Sequence, residues 1–208
     1  METVNKPSAT GSMDPRRRKM IIWGAVGAVI LIVIIWIATS YNSLVNKQEK
    51  VEQQWSQVQN MYQRRLDLVP QLVNVVKGVS GFEKNTLVDV VNARVSAAKV
   101  NVQMTGEGAQ QQQALQDSVA VATNRFIAVI ESYPNIKSTD AYRGFQAQLK
   151  GTEQRIKVAR NDFNEAINVY NRKVRSFPSN IIANMFGFKR RDGFKADVGA
   201  ENAIEIKF

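Results

Sequence analysis

Met20-Ile21-Ile22-Trp23-Gly24-Ala25-Val26-Gly27-Ala28-Val29-Ile30-Leu31-Ile32-Val33-Ile34-Ile35-Trp36-Ile37-Ala38 runs for 19 positions without a charged residue. As an α-helix this stretch reaches roughly 28 Å, about the hydrocarbon thickness of a bilayer. Trp23 and Trp36 fall near its two ends, where indole rings favour the headgroup region. Gly24 and Ala28 form one small-xxx-small pair, the spacing that lets membrane helices approach closely. The expectation is a transmembrane helix over residues 20–38. A cleaved signal peptide is the competing reading, since basic residues, an apolar run and Ala38-Thr39-Ser40 match its three parts. Signal cores usually hold 7 to 15 apolar residues, and this run is longer.

Upstream, Arg16, Arg17, Arg18 and Lys19 abut the apolar run, whereas the downstream flank carries no charge until Lys47. The positive-inside bias then places the N-terminus in the cytoplasm and everything after residue 38 outside it. Residues 1–15 are polar and lack periodicity, so residues 1–19 read as a polar and basic cytoplasmic tail.

Downstream, helical periodicity dominates. Leu44, Val51, Trp55, Val58, Tyr62, Leu66, Val69, Val73 and Val76 keep to spacings of three, four or seven, the pattern of one buried stripe. No breaker separates this stripe from the apolar run, so the two read as one helix. Pro70 removes an amide donor and is expected to bend it, with Gly78 and Gly81 ending it. A second helix is expected over residues 83–101, with Leu87, Val90, Val91, Arg94, Ala97 and Ala98 in register. Gly106 and Gly108 then mark a turn. A third helix, residues 109–132, opens on Gln110 to Gln113, read as a solvated face, and buries Leu115, Val119, Ala122, Phe126 and Ile130 before Tyr133-Pro134.

The fourth stripe is the most regular: Phe145, Leu149, Thr152, Ile156, Ala159, Phe163, Ala166, Tyr170, Val174 and Phe177 alternate spacings of four and three. Ser138 or Thr139 caps its start and Asp140 complements the helix dipole. A short helix over residues 179–186, a stop at Gly187 and a basic loop with Lys189, Arg190, Arg191 and Lys195 follow. Ile204, Glu205, Ile206, Lys207 and Phe208 alternate with period two, as a strand does. The resulting fold class is all-α: a transmembrane helix continues into an antiparallel four-helix bundle over residues 39–178, and residues 179–208 add a short helix and a terminal β-strand.

Composition narrows the chemistry. The 208 residues include no Cys and no His, which removes thiolate nucleophiles, thiolate metal sites and the commonest proton shuttle. Carboxylate-bridged metal centres in helical bundles use Glu-x-x-His, a motif this chain lacks. Asp67, Glu83, Glu131 and Glu153 are scattered over separate helices, and Asp67 has Arg64 and Arg65 within one turn, so ion pairing is the expected role. Arg94 and Arg160 lie close to stripe positions and are expected to join Glu153 in pairs that set helix register. Trp55 reads as a core anchor. Thus no catalytic, cofactor-binding or metal-binding residue is expected.

The formal net charge is +10, and residues 39–208 still hold 23 basic against 16 acidic residues. No nucleic-acid-binding motif accompanies this charge. The cluster Lys189, Arg190, Arg191 and Lys195 is the expected contact for lipid headgroups or an acidic polymer, with solubility as the plain alternative. A lone strand cannot satisfy its own backbone, so Ile204, Ile206 and Phe208 are expected to mediate self-association in a homo-oligomer.

The residues also carry a resemblance. Tyr41-Asn42-x-Leu44-Val45, Val51-x3-Trp55 and Arg64-Arg65-x-Asp67-Leu68-Val69-Pro70-x-Leu72-Val73-x3-Lys77-Gly78 are similar to the opening of the LemA family of bacterial membrane-anchored helical proteins. The likeness continues through Ala93-Arg94, Tyr133-Pro134, Phe145-x3-Leu149-x2-Thr152-Glu153-x2-Ile156-x2-Ala159-Arg160-x2-Phe163-Asn164, Tyr170-Asn171, Phe177-Pro178-x-Asn180 and Phe186-Gly187-Phe188. Ser80-Gly81-Phe82-Glu83 departs from the aromatic and His more usual before that glutamate. The resemblance implies an N-terminal membrane helix, a mainly helical bundle, no established enzymatic activity, and an analogy to membrane organisation. Two functions from different classes follow as expectations: a self-associating, non-enzymatic scaffold at the bacterial inner membrane, or a monomeric adaptor for another membrane or envelope protein. A hydrolase or ligand-binding protein would need an apolar pocket with convergent polar groups.

Overall fold

The computed structural model describes residues 15–77, 84–99 and 106–194. Among them all regular structure is helical: α1 (Pro15–Val76), α2 (Lys84–Ala98), α3 (Gly106–Ile130), α4 (Pro134–Lys137), α5 (Asp140–Arg175) and α6 (Ser179–Met185). The expected strand with Ile204, Ile206 and Phe208 lies outside the described residues, as do Lys195 and residues 1–14.

Helix boundaries follow local chemistry. The Thr139 hydroxyl accepts from the Tyr142 amide at 3.2 Å and caps α5. Asp140 in the first turn and Arg172, Lys173 and Arg175 in the last complement the dipole. Pro134 opens α4, where its missing N–H costs nothing. At the end of α6, Phe188 donates to Ala183 O at 2.9 Å and Gly187 adopts φ +77°, a left-handed cap that a side chain would strain. Gly106 and Gly108, expected as a turn, instead form the first turn of α3 beside Glu107. First-turn amides have no helical partners to lose, and the acidic side chain favours that position. α1 continues through Pro70 to Val76.

The chain divides into two compact units, Met1–Ser43 and Leu44–Phe208. In the first, large apolar side chains from Met20 to Ile35 are 44% or more exposed, a surface that water does not tolerate. This part of α1 is long and apolar enough to cross a membrane. Just after it, the Thr39 hydroxyl donates to Ile35 O and Trp36 O at 2.9 and 3.0 Å, so its polar group is satisfied within the helix.

In the second unit, Leu66, Leu72 and Val76 of α1, Val90 of α2, Phe126 and Ile130 of α3, Ile136 of α4 and Phe145 of α5 share one core. Toward Leu44, the buried set becomes Val51, Trp55 and Val58 of α1 with Phe163, Ala166 and Tyr170 of α5. Contacts between the two helices run in opposite directions, since Arg65 meets Glu153 and Trp55 meets Phe163. Phe177 leaves the stripe: α5 ends at Arg175, and Phe177 is 81% exposed in the turn that follows.

Candidate functional site

Arg65 is buried on α1, one position before the stripe residue Leu66. A buried guanidinium requires partners for its planar fork. Its Nε donates to Glu153 Oε1 of α5 at 2.8 Å and its Nη2 to Glu153 Oε2. Its Nη1 donates to Gln116 O of α3 at 2.9 Å, with Gln116 Oε1 at 3.4 Å. One side chain therefore fastens three helices. Arg94 of α2 adds a fourth helix through its Nε, which donates to Leu66 O at 3.0 Å.

Beyond α6, residues 188–194 form a strap along α5. Asn171 Nδ2 donates to Arg191 O at 2.8 Å, and Arg191 N donates to Asn171 Oδ1 at 2.9 Å. Asn164 repeats the device two helical turns away: its Nδ2 donates to Phe194 O at 3.2 Å and its Oδ1 accepts from Phe194 N at 2.9 Å. Each amide thus substitutes for a neighbouring strand. Tyr170 OH adds a bond to Lys189 O at 3.0 Å. The Phe194 ring meets Trp55 and Phe163 with centroids 5.9 and 5.5 Å away, while Arg160 stands 4.9 Å from its centre. The strap covers the α1–α5 seam as another helix would.

A cleft of about 640 Å³ opens between these two features, bordered by Arg65, Asp117, Glu153, Lys157, Arg160 and Phe194 among others. Its walls mix polar and apolar groups, with Ala120, Ile156 and Phe194 among the latter, and carry charges of both signs. Among the described residues no group of three carboxylates gathers to hold a metal ion. Burial raises the Tyr62 hydroxyl from 10.0 to about 12, against the opposing pull of Arg160 and Arg65. That leaves a neutral phenol in the core at neutral pH.

The sequence-predicted residues scatter. Arg16, Arg17, Arg18 and Lys19 are exposed within the first turns of α1, followed by Trp23, Gly24 and Ala28, also exposed, and Trp36, half-buried. Lys189 and Arg190 are exposed, but Arg191 is drawn inward. Its Nη2 contacts Glu52 at 3.3 Å and its guanidinium lies 5.8 Å from the Tyr170 ring centre. Glu153 pairs with Arg65, and Arg94 instead reaches Leu66 O. Asp67 accepts from Gln63 at 2.8 Å. Trp55 is a core residue, as expected. Sequence reasoning missed Gln116, Asn164, Asn171 and Phe194. A readable signal existed for two of them: Phe163-Asn164 and Tyr170-Asn171 are aromatic-Asn pairs seven residues apart on the regular stripe.

Known proteins resemble this chain in sequence. Magnetosome protein MamQ 2 of Paramagnetospirillum magneticum is 26% identical over 198 residues, covering 84% of this chain and 73% of the relative. Protein LemA of Metamycoplasma hominis is 24% identical over 142 residues, 68% of this chain and 63% of the relative. Magnetosome protein MamQ of Magnetospirillum gryphiswaldense is 31% identical over 83 residues, 40% and 30% of the two chains. The LemA and MamQ families are not known as enzymes. The LemA family pattern matches residues 54–208, a span holding the Arg65 junction, the α5 stripe and the asparagine-held strap, and the chain belongs to the LemA family.

Proposed function

We propose that this protein is a non-enzymatic scaffold, anchored in the bacterial inner membrane by residues 20–38 and self-associating to organise or remodel that membrane. The observation that carries the anchor is the uninterrupted exposure of apolar side chains from Met20 to Ile35. Relatives named as magnetosome proteins support work at a membrane. In this reading residues 1–19 are cytoplasmic, residues 39–178 form an antiparallel four-helix bundle outside the cytoplasm, and residues 179–208 complete it. Ile204, Ile206 and Phe208 add a strand to a neighbouring copy, and Lys189, Arg190 and Lys195 face lipid or an acidic polymer.

The test is the mass of the full-length protein in mild detergent, by light scattering after size exclusion. A discrete multi-protomer particle, dissolved by deleting residues 203–208 without loss of helix, is the expected result. A monomer overturns self-association. Cysteines at Ser8 and Lys195, labelled from outside intact cells, test the orientation: label at Lys195 alone is expected, and label at Ser8 alone reverses it.

A second reading, a monomeric adaptor for another membrane protein, is favoured by Val88, Val91 and Val95. These lie at spacings of three and four on α2 and are 52, 38 and 38% exposed. Monomeric mass with a co-purifying unlike protein, lost on changing all three to Ser, would support it.

A further inference from the structure

Phe177, Ile181, Met185 and Phe186 are large and apolar, yet 81, 53, 60 and 50% exposed. Ile181 and Met185 are one turn apart on α6, and Phe177 precedes them by the same spacing. Along this stretch of chain the charge is of one sign, although Glu52 of α1 reaches Arg191 beside it. Residues 166–191 contain Arg172, Lys173, Arg175, Lys189, Arg190 and Arg191 and no acidic residue. Arg172, Arg175 and Arg190, with Asn168, Asn171 and Ser176, line a groove of about 580 Å³. No carboxylate engages these three guanidinium groups among the described residues.

The location is informative. From Arg65 to Trp55 and from Glu153 to Phe163, ten residues of α1 match ten of α5. Equal helical rise continues that register to set Val174 level with Leu44. The groove and the apolar cluster therefore belong to the end of the unit Leu44–Phe208 at which the chain enters it. Only six steps of chain separate Leu44 from Ala38, a tether of about 20 Å even when fully extended.

We infer that this end of the unit is a second membrane contact: Phe177, Ile181, Met185 and Phe186 enter the interfacial layer while Arg172, Arg175 and Arg190 bind the phosphate of an anionic phospholipid. The inference rests on the membrane-anchored reading of residues 20–38. Apolar side chains beside basic ones suit the boundary between acyl chains and headgroups, and planar guanidinium forks match phosphate oxygens. A tether this short keeps the groove within reach of the surface that the anchor enters, and the excess of basic side chains over residues 166–191 favours anionic lipid.

The experiment uses the full chain, which has no native Cys. Single variants Val29→Cys, Ile181→Cys and Ser132→Cys carry an environment-sensitive fluorophore. Each is reconstituted in vesicles of phosphatidylcholine alone or with added phosphatidylglycerol, with a nitroxide quencher on the acyl chains. The Val29 label is expected to be quenched in both. The Ile181 label is expected to be blue-shifted and quenched several-fold more in the anionic vesicles than in the neutral ones. Quenching at Ser132, in the α3–α4 connection, should stay at background. Arg172→Gln, Arg175→Gln and Arg190→Gln together should abolish the anionic gain at Ile181 with helix content unchanged, since all three side chains are exposed. If Val29 is quenched but Ile181 behaves like Ser132, the second contact is overturned while the anchor stands. Equal quenching of Ile181 in both vesicles, or gain retained by the triple variant, overturns the phosphate role. No quenching at Val29 overturns the anchor and this inference with it.

Discussion

Arg65 is a costly residue to bury, and the structure compensates it at all three guanidinium nitrogens. Glu153 remains 41% exposed, so it can rehydrate when its partner is removed. Glu153→Gln leaves the buried Arg65 guanidinium without its counter-charge and is expected to cost about 3 kcal/mol. Arg65→Met removes the buried charge itself and leaves a carboxylate that rehydrates, so it should cost only about 1 kcal/mol, chiefly the donor lost to Gln116 O. Urea unfolding of the full chain in mild detergent measures both, and the double variant should fall short of the sum. Tyr62 makes a pH statement. Burial raises its folded pKa to about 12 against 10.0 for the exposed group, so its contribution is complete below 10.0 and is lost as pH rises toward 12. Burial moves Tyr142 and Tyr170 in the same direction. Tyr62→Phe should flatten the alkaline fall in the unfolding midpoint by about 2 kcal/mol in free energy. An unchanged alkaline slope would mean that Tyr62 ionises in the folded chain as it does in the unfolded one.

The strap is the element that separates this fold from a plain set of packed helices. Among the described residues its backbone has no ladder partner, and Asn164 and Asn171 supply one from a helix. Gly193 lets that approach happen, because a Cβ there would run into the Asn164 amide. Gly151, in the middle of α5, faces open space. The same substitution should therefore act in opposite directions. Gly193→Ala is expected to destabilise by about 1 to 2 kcal/mol through loss of the paired bonds. Gly151→Ala is expected to stabilise by about 1 kcal/mol, because glycine is a poor helix former. With Trp23 and Trp36 changed to Phe, emission reports Trp55 alone: Gly193→Ala should shift it to the red as Phe194 loosens, and Gly151→Ala should leave it in place.

At the scale of the whole molecule, the exposed apolar surface of residues 20–35 is the dominant energetic fact. Such a surface is stable only out of water, and one charge at its centre opposes burial in lipid. Val29→Arg is expected to cost about 3 kcal/mol of membrane integration, read as protein released by alkaline carbonate. Val121, 59% exposed on α3, is the control: Val121→Arg should leave the membrane-bound fraction unchanged. Release of both variants alike would mean that hydropathy of residues 20–38 does not hold the chain in the membrane. The net charge of the remaining chain is unevenly placed, and the acid-free stretch over residues 166–191 makes one end of the second unit basic.

Periodicity determined the long helices and much of the core, because a buried stripe must recur every 3.6 residues wherever the chain folds, whereas the short α4 was not legible that way. Nine of the ten fourth-stripe positions lie on α5 and are buried or half-buried, and Thr139 caps it. The nineteen-residue apolar run was legible for the same reason: hydrophobicity is a local, additive property. What only the tertiary structure decided involves groups distant in sequence. Arg65 finds Glu153 across 88 positions, and Asn164 holds Phe194 across 30. Phe177 continued the spacing, yet the helix had ended two residues earlier and turned it outward. Polar pairing depends on direction and distance rather than on composition, and these exist only once the helices have packed.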